Sequence, residues 1–221
     1  MVKIYFVRHC EAEGNKHKNF QGAIDFDITE LGKKQLEFLH KRFQDIHIDK
    51  VFSSPLIRAK KTAMAAVFGK GLDIEIEPLF TELSVGDMEG MPFRDIFKNY
   101  PDFEDIWTNH PEDFYPPNGE PMRSLFERMK KGLEKIALDP DNEGKTILVA
   151  SHGGAIRNLT CHILYNDIKY LSKTDWSVNT AVSLITYNNN KFTLEFSNDD
   201  SHLPEEFKSQ KSRLLVKKEE V

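Results

Sequence analysis

The chain is poor in cysteine, with two in 221 residues, which excludes a disulfide scaffold. It is also poor in long apolar runs. The longest near the start is Ile4-Tyr5-Phe6-Val7, far short of the ~20 residues of a spanning helix and too short for a signal-peptide core. Positive charge is in deficit: 30 Lys and Arg against 35 Asp and Glu leave −5, which argues against nucleic acid as a partner. Internal repeats and low-complexity tracts are missing. What is present is ordinary for a globular protein, 39% hydrophobic and 29% charged, too apolar for a disordered chain. At ~150 residues per domain the length predicts one domain to one and a half, burying roughly 70% of its unfolded surface. These features describe a cytoplasmic protein with reduced thiols and no membrane association. Its oligomeric state is not legible.

The elements alternate as βαβαβ, which predicts an α/β fold: a three-layer α/β/α sandwich on a mostly parallel central sheet. Residues 2–8 read as a buried strand. Thr29 reads as the N-cap of a helix over 30–46, with Leu36, Leu39, Phe43 and Ile46 as its apolar stripe. A short strand, 50–53, precedes a helix over 55–68 opened by Pro55. Residues 72–77 alternate as a half-exposed strand. Residues 84–125 are irregular, interrupted by Pro92, Pro101, Pro111, Pro116 and Pro117 and interleaved with aromatics. They read as a short-helix lid over the sheet whose aromatic residues are mostly core. A helix over 121–138 follows, then the most apolar strand, 145–151, expected at the sheet centre. A helix to about 165 and a hairpin of 178–187 with 191–197 around Asn188-Asn189-Asn190 complete residues 1–198. Residues 199–221 read as a charged, loosely ordered tail.

Chemistry-bearing residues stand just beyond the strands. The first strand ends in Arg8-His9. The second runs into Ser53-Ser54-Pro55 and then Arg58, the third leads to Glu82, and the most apolar one ends in His152-Gly153-Gly154. Parallel α/β sheets bind ligands outside their strand carboxyl ends, so these residues are expected in one crevice. Two guanidinium forks suit a tetrahedral anion. The amides of Gly153 and Gly154 at a helix start would add donors. A neutral imidazole is a nucleophile toward phosphorus, and a carboxylic acid can protonate the leaving alkoxide and then deprotonate water. Phosphoryl transfer is mostly positioning and charge neutralisation, so such a cluster can work without metal or cofactor.

The segment Phe6-Val7-Arg8-His9-Cys10-Glu11-Ala12-Glu13-Gly14-Asn15 resembles the Arg-His-Gly-Glu-Thr-x-x-Asn motif of the histidine phosphatase (phosphoglycerate mutase-like) superfamily. Gln21-Gly22, Asp25, Ile28-Thr29 and Gly32 are similar to its next segment. So are Ser53-Ser54-Pro55-Leu56-Ile57-Arg58-Ala59, Glu82-Leu83-Ser84-Val85-Gly86-Asp87-Met88-Glu89-Gly90 and Ser151-His152-Gly153-Gly154. The five lie in order across residues 3–158. The resemblance implies His9 as the phosphorylated nucleophile. It implies Arg8, Arg58 and His152, helped by Asn15, as ligands of the phosphoryl group, and Glu82 as proton donor and acceptor. Gln21, Gly22 and Gly153 are further substrate-binding candidates. Cys10, Ala12 and Asp27 depart from the usual Gly, Ser or Thr, and Pro.

Mutases of this family carry a longer insertion with an Arg-Arg pair between the acid and the second histidine. Glu82 and His152 here lie 70 residues apart with no such pair between them. The resemblance therefore implies a phosphomonoesterase of small phosphorylated metabolites acting through phosphohistidine, with a phosphoglycerate mutase or a catalytically weak phospho-ligand-binding regulator as alternatives. Glu11 reads as a structural partner near the site. Arg94, Lys98, Arg123 and Arg128 read as solvated charges, with contact to the substrate's non-reacting part as the alternative. His17, His40, His47, His110, His162 and His202 lack metal-ligand spacing.

Overall fold

A computed structural model describes residues 1–208. Its strands are β1 (Val2–Arg8), β2 (Lys50–Ser53), β3 (Ile74–Ile76), β4 (Thr146–Ser151), β5 (Val182–Asn188) and β6 (Lys191–Asp199). Its α-helices are α1 (Glu13–Lys16), α2 (Glu30–Phe43), α3 (Ile57–Ala66), α4 (Phe93–Asn99), α5 (Phe103–Asn109), α6 (Met122–Ala137) and α7 (Gly153–Tyr165).

The six strands form one sheet in the order β3-β2-β4-β1-β5-β6. The first four of that order run parallel, and β5 and β6 add an antiparallel edge. The period-2 alternation of the two central strands builds the three layers. Ile4 and Phe6 of β1 and Ile147 and Val149 of β4 join Leu125, Met129 and Leu133 of α6 and Leu159 of α7 in one cluster. Val7, Leu148 and Ala150, one residue out of phase, join Leu39 and Phe43 of α2 and Ala59 and Ala63 of α3 in the other. The expected sandwich with β4 at its centre is therefore the observed one.

Several boundaries differ for local reasons. Thr29 caps α2 as expected, its side chain accepting from Gly32 N at 3.0 Å, but that helix ends at Phe43 rather than 46. Helix α3 starts at Ile57, after Pro55, because side chains take its first amides: Leu56 N donates to Ser54 Oγ at 3.3 Å and Ile57 N to Asp25 Oδ1 at 2.6 Å. The alternating run 72–77 pairs only over Ile74–Ile76. Asn189 and Asn190 both adopt positive φ, 50° and 59°, as a type I′ hairpin turn requires. Strand β5 begins at Val182, not 178, because the preceding loop folds onto the end of β1. The chain after 198 is not loose over its described part. Strand β6 runs to Asp199, which Arg42 of α2 holds at 2.7 Å, and the Phe207 ring packs on Phe38 at 5.2 Å. The rest of the expected tail lies outside the described residues.

Candidate active site

The sheet register sets the site. Arg8 pairs with Ser151 and Ser53 with Ala150, so β1, β2 and β4 end side by side. His9 and His152 follow adjacent strand ends. His9 N donates to Ser151 O at 2.9 Å, and the two rings lie 5.2 Å apart.

The hydrogen bonds assign the His9 tautomer. Its Nδ1 lies 2.6 Å from Cys10 O. A carbonyl only accepts, so Nδ1 holds the proton and Nε2 the lone pair. Burial, then Arg58 and Arg8, holds His9 well below the usual imidazole range, keeping it neutral and nucleophilic. His152 is likewise lowered by burial, then by Arg58 and His9. Its Nε2 lies 2.7 Å from Ser54 Oγ, which already accepts from Leu56 N. A neutral His152 whose Nε2 accepts the Ser54 hydroxyl hydrogen carries its own proton on Nδ1.

Both arginines are fixed by backbone carbonyls. Arg58, fully buried, donates from Nη1 to Ile24 O at 2.6 Å and from Nη2 to Gly22 O at 2.8 Å. Arg8 donates from Nη1 to Ser177 O. Burial lowers Arg8 to about 10 against the opposing pull of Glu82, so it is still a cation at neutral pH. Three nitrogens of this cluster are buried without a partner among the described residues: Arg8 Nε and Arg58 Nε, both donors, and His152 Nδ1. A buried orphan donor costs about 1–3 kcal/mol. An acceptor-rich anion placed among them recovers that loss and meets two positive charges.

Glu82 sits across the same opening. Its Oε1 accepts from Leu83 N at 2.9 Å and Ala155 N at 3.0 Å, and its Oε2 from Gly154 N at 2.9 Å. The carboxylate thus caps the α7 N-terminus, where the helix dipole favours negative charge. This corrects one expectation: the Gly154 amide serves Glu82 and not the anion. It also explains the glycine, because a Cβ there would lie 2.7 Å from Glu82 Oε1.

The other candidates fall around this centre. Asn15 Oδ1 accepts from Ala12 N at 3.0 Å, spending its carbonyl on the backbone. Gln21 is buried with Oε1 unpartnered. Gly22 has φ of 48°, and a side chain there would strike Glu89, whose carboxylate accepts from Ala23 N, Ile24 N and Val85 N. Gly153 lies against Arg8, with 3.2 Å from a Cβ to the guanidinium carbon. Burial pushes the Cys10 thiol up to about 12, so it stays a neutral packing group. Glu11 accepts from the Thr29 hydroxyl at 2.7 Å, a structural tie.

Sequence reading missed two features. The loop before β5 completes the β1 exit: Asn179 Nδ2 donates to His9 O at 2.9 Å, and Thr180, at φ 56°, donates from its amide to Arg8 O at 3.1 Å. Its one visible signal is polar residues opening an otherwise apolar run. Arg128 is neither a solvated charge nor a free substrate contact. Its guanidinium is bound to Glu120 and to three backbone carbonyls. Arg123 is a surface charge, paired with Asp113 at 2.8 Å. Among the described residues no group of three or more His, Cys, Asp or Glu is arranged to hold a metal ion, and no helix is long and apolar enough to cross a membrane.

Comparison with known proteins points the same way. A family model for the histidine phosphatase superfamily (branch 1) matches residues 4–200. The chain is 33% identical over 168 residues to phosphoserine phosphatase 1 of Hydrogenobacter thermophilus, covering 76% of this chain and 79% of that one. It is 31% identical over 205 residues to the uncharacterized phosphatase PhoE of Bacillus subtilis, covering 92% and 97%. Among solved structures, YhfR of Bacillus stearothermophilus superposes with a TM-score of 0.86 at 25% identity, over 91% of this chain and 99% of that one.

Proposed function

The chain belongs to the histidine phosphatase superfamily and is a phosphatase of small phosphorylated compounds, and from that premise we propose that it hydrolyses phosphate monoesters through a phosphohistidine on His9, without a metal ion. The observation that carries this reading is the trio of buried, unpartnered nitrogens, Arg8 Nε, Arg58 Nε and His152 Nδ1, beside an imidazole whose Nε2 lone pair is free.

The steps balance within the chain's own groups. The phosphoryl oxygens take the three donors, with the guanidinium charges neutralising the dianion. The His9 Nε2 lone pair forms the N–P bond as the P–O bond to the alcohol breaks. Glu82 gives its proton to the departing alkoxide. Oε1 already accepts two N–H groups and Oε2 only one, so Oε2 has the spare lone pair for that proton. Water then attacks phosphorus, Glu82 takes its proton, and the N–P electrons return to Nε2. The two arginines supply the positive charge that a metal supplies in other phosphatases. The two buried free thiols, Cys10 and Cys161, suit a reducing, cytoplasmic setting.

The test is His9→Ala. Turnover of p-nitrophenyl phosphate is expected to fall at least ~10⁴-fold, as for loss of a covalent nucleophile, with the thermal midpoint unchanged or raised. Wild-type protein quenched during turnover should carry acid-labile, base-stable phosphate. A His9→Ala protein with ordinary turnover would overturn the mechanism. Efficient interconversion of 3- and 2-phosphoglycerate in a coupled assay would displace hydrolysis as the main reaction.

A further inference from the structure

We infer that Arg128, held by Glu120, is a positioning residue for Glu82: it fixes the backbone from which the acid reaches the leaving oxygen. The inference rests on the reading of Glu82 as proton donor.

Arg128 lies on α6, and all five of its N–H donors are used. Nε donates to Glu120 Oε1 at 2.7 Å and Nη2 to Glu120 Oε2 at 2.8 Å, a two-pronged ion pair. Nη1 donates to Leu79 O at 2.9 Å and to Thr81 O at 2.6 Å, and the second Nη2 hydrogen goes to Glu82 O at 2.9 Å. The remaining carbonyl of the run, Phe80 O, accepts from Ser151 Oγ at 2.7 Å, and Ser151 is the residue before His152. Four successive carbonyls, 79 to 82, are thus tied to α6 on one side and to the end of β4 on the other.

The contrast with the cradle arginines assigns the role. Arg8 and Arg58 each keep a buried Nε without a partner, as an anion ligand must. Arg128 keeps none, so it has no donor to offer a substrate. What it does is hold still a loop whose last side chain, that of Glu82, carries the proton. Displacing a positioned group by about 1 Å costs on the order of 10²-fold in rate. A planar five-donor fork reaches three carbonyls and both carboxylate oxygens at once, which an ammonium group cannot do.

A positioning role and a general structural role differ in leaving-group dependence. A nitrophenolate departs without help, whereas an alkoxide needs the proton. The experiment measures kcat/KM, which reports steps up to release of the alcohol, for p-nitrophenyl phosphate and for glycerol 2-phosphate. Arg128→Lys keeps the positive charge near His152 and removes the fork. It is expected to lower kcat/KM for the alkyl ester ~10-fold or more and for the nitrophenyl ester less than ~3-fold. Glu120→Gln, which leaves the three carbonyl bonds in place, should show the same bias more weakly and carries the test if Arg128→Lys does not fold. Glu82→Gln should show the bias at its fullest, ~10²-fold or more on the alkyl ester. In a Glu82→Gln background, Arg128→Lys should add no further alkyl-selective loss. Equal losses on both esters in Arg128→Lys and Glu120→Gln, with the bias intact in Glu82→Gln, would overturn the inference and leave Glu82 as the acid. Equal losses in Glu82→Gln itself would remove that reading and the inference with it.

Discussion

The strand-exit cradle and the region over it, residues 84–121, are held together by opposite means. The cradle is polar and tied to backbone. Arg58 rests on two carbonyls, Arg8 on one, His9 on another, and donors are left unpaired in the middle. The region above is held by rings. Trp107 meets Phe114 at 4.9 Å, Phe20 at 5.1 Å, Phe103 at 5.4 Å and Trp176 at 5.5 Å. Directional hydrogen bonds fix atoms to tenths of an ångström and lose their value when displaced, whereas packed rings give mainly burial, with looser geometry. Chemistry common to all phosphate esters therefore suits the cradle, and discrimination among esters suits the ring-packed cover.

With that division, the two regions should fail differently. Removing the nucleophile, as described above, abolishes turnover at little cost in stability. Trp107→Ala is the converse. It should cost about 3–5 kcal/mol of stability, as a large-to-small core substitution does, with a thermal midpoint lower by about 10 °C. In the cold, the turnover of p-nitrophenyl phosphate should survive. A stable Trp107→Ala protein that has lost this turnover would break the comparison.

Gly154→Ala sharpens it next. The added Cβ comes nearest to the end of the Glu82 side chain, 2.7 Å from Oε1, so the fold should accommodate it and the acid should move. We expect a ~10-fold or greater loss of kcat/KM on alkyl esters with a thermal midpoint near that of wild type. A parallel loss on nitrophenyl and alkyl esters would show instead that the α7 start as a whole had shifted.

The cradle also sets a pH dependence of stability. His9 and His152 are held well below the usual value, first by burial, so the unfolded chain binds more protons than the folded one as pH falls below ~6.5. Stability is then complete above that pH and lost progressively on acidification. At pH 5.5 the loss is about 1.4 kcal/mol for each buried neutral imidazole. His202, lowered to about 4 by burial and Arg42, adds to the same trend. Urea midpoints at pH 7.5 and 5.5 measure it, and His9→Ala should show a smaller difference between them. The smallest effect belongs to Arg123→Ala, whose exposed ion pair with Asp113 should be worth no more than ~0.5 kcal/mol. A chemical melt that places Arg123→Ala beside Arg128→Lys would erase the distinction drawn between these two arginines of α6.

Much of this molecule is visible in its sequence because the signals are local. The unbroken apolar run Ile4-Tyr5-Phe6-Val7 marks β1 as a buried strand before any partner is known. Thr29 caps α2 from three residues away, and Asn189-Asn190 announce the hairpin turn. Arg8, His9, Arg58, Glu82 and His152 each stand at a strand exit, and exits of a parallel sheet meet at one edge. Tertiary structure alone decided the rest. It chose Glu82 over a phosphate for the Gly154 amide, set His152 Nε2 against the Ser54 hydroxyl, brought Ser177 and Asn179 to the β1 exit, and turned Arg128 from a charge on a helix face into the anchor of residues 79–82. Each of those outcomes joins groups 46 to 170 positions apart in the chain. No periodicity or cap links such partners, so only the folded geometry could say which donor meets which acceptor.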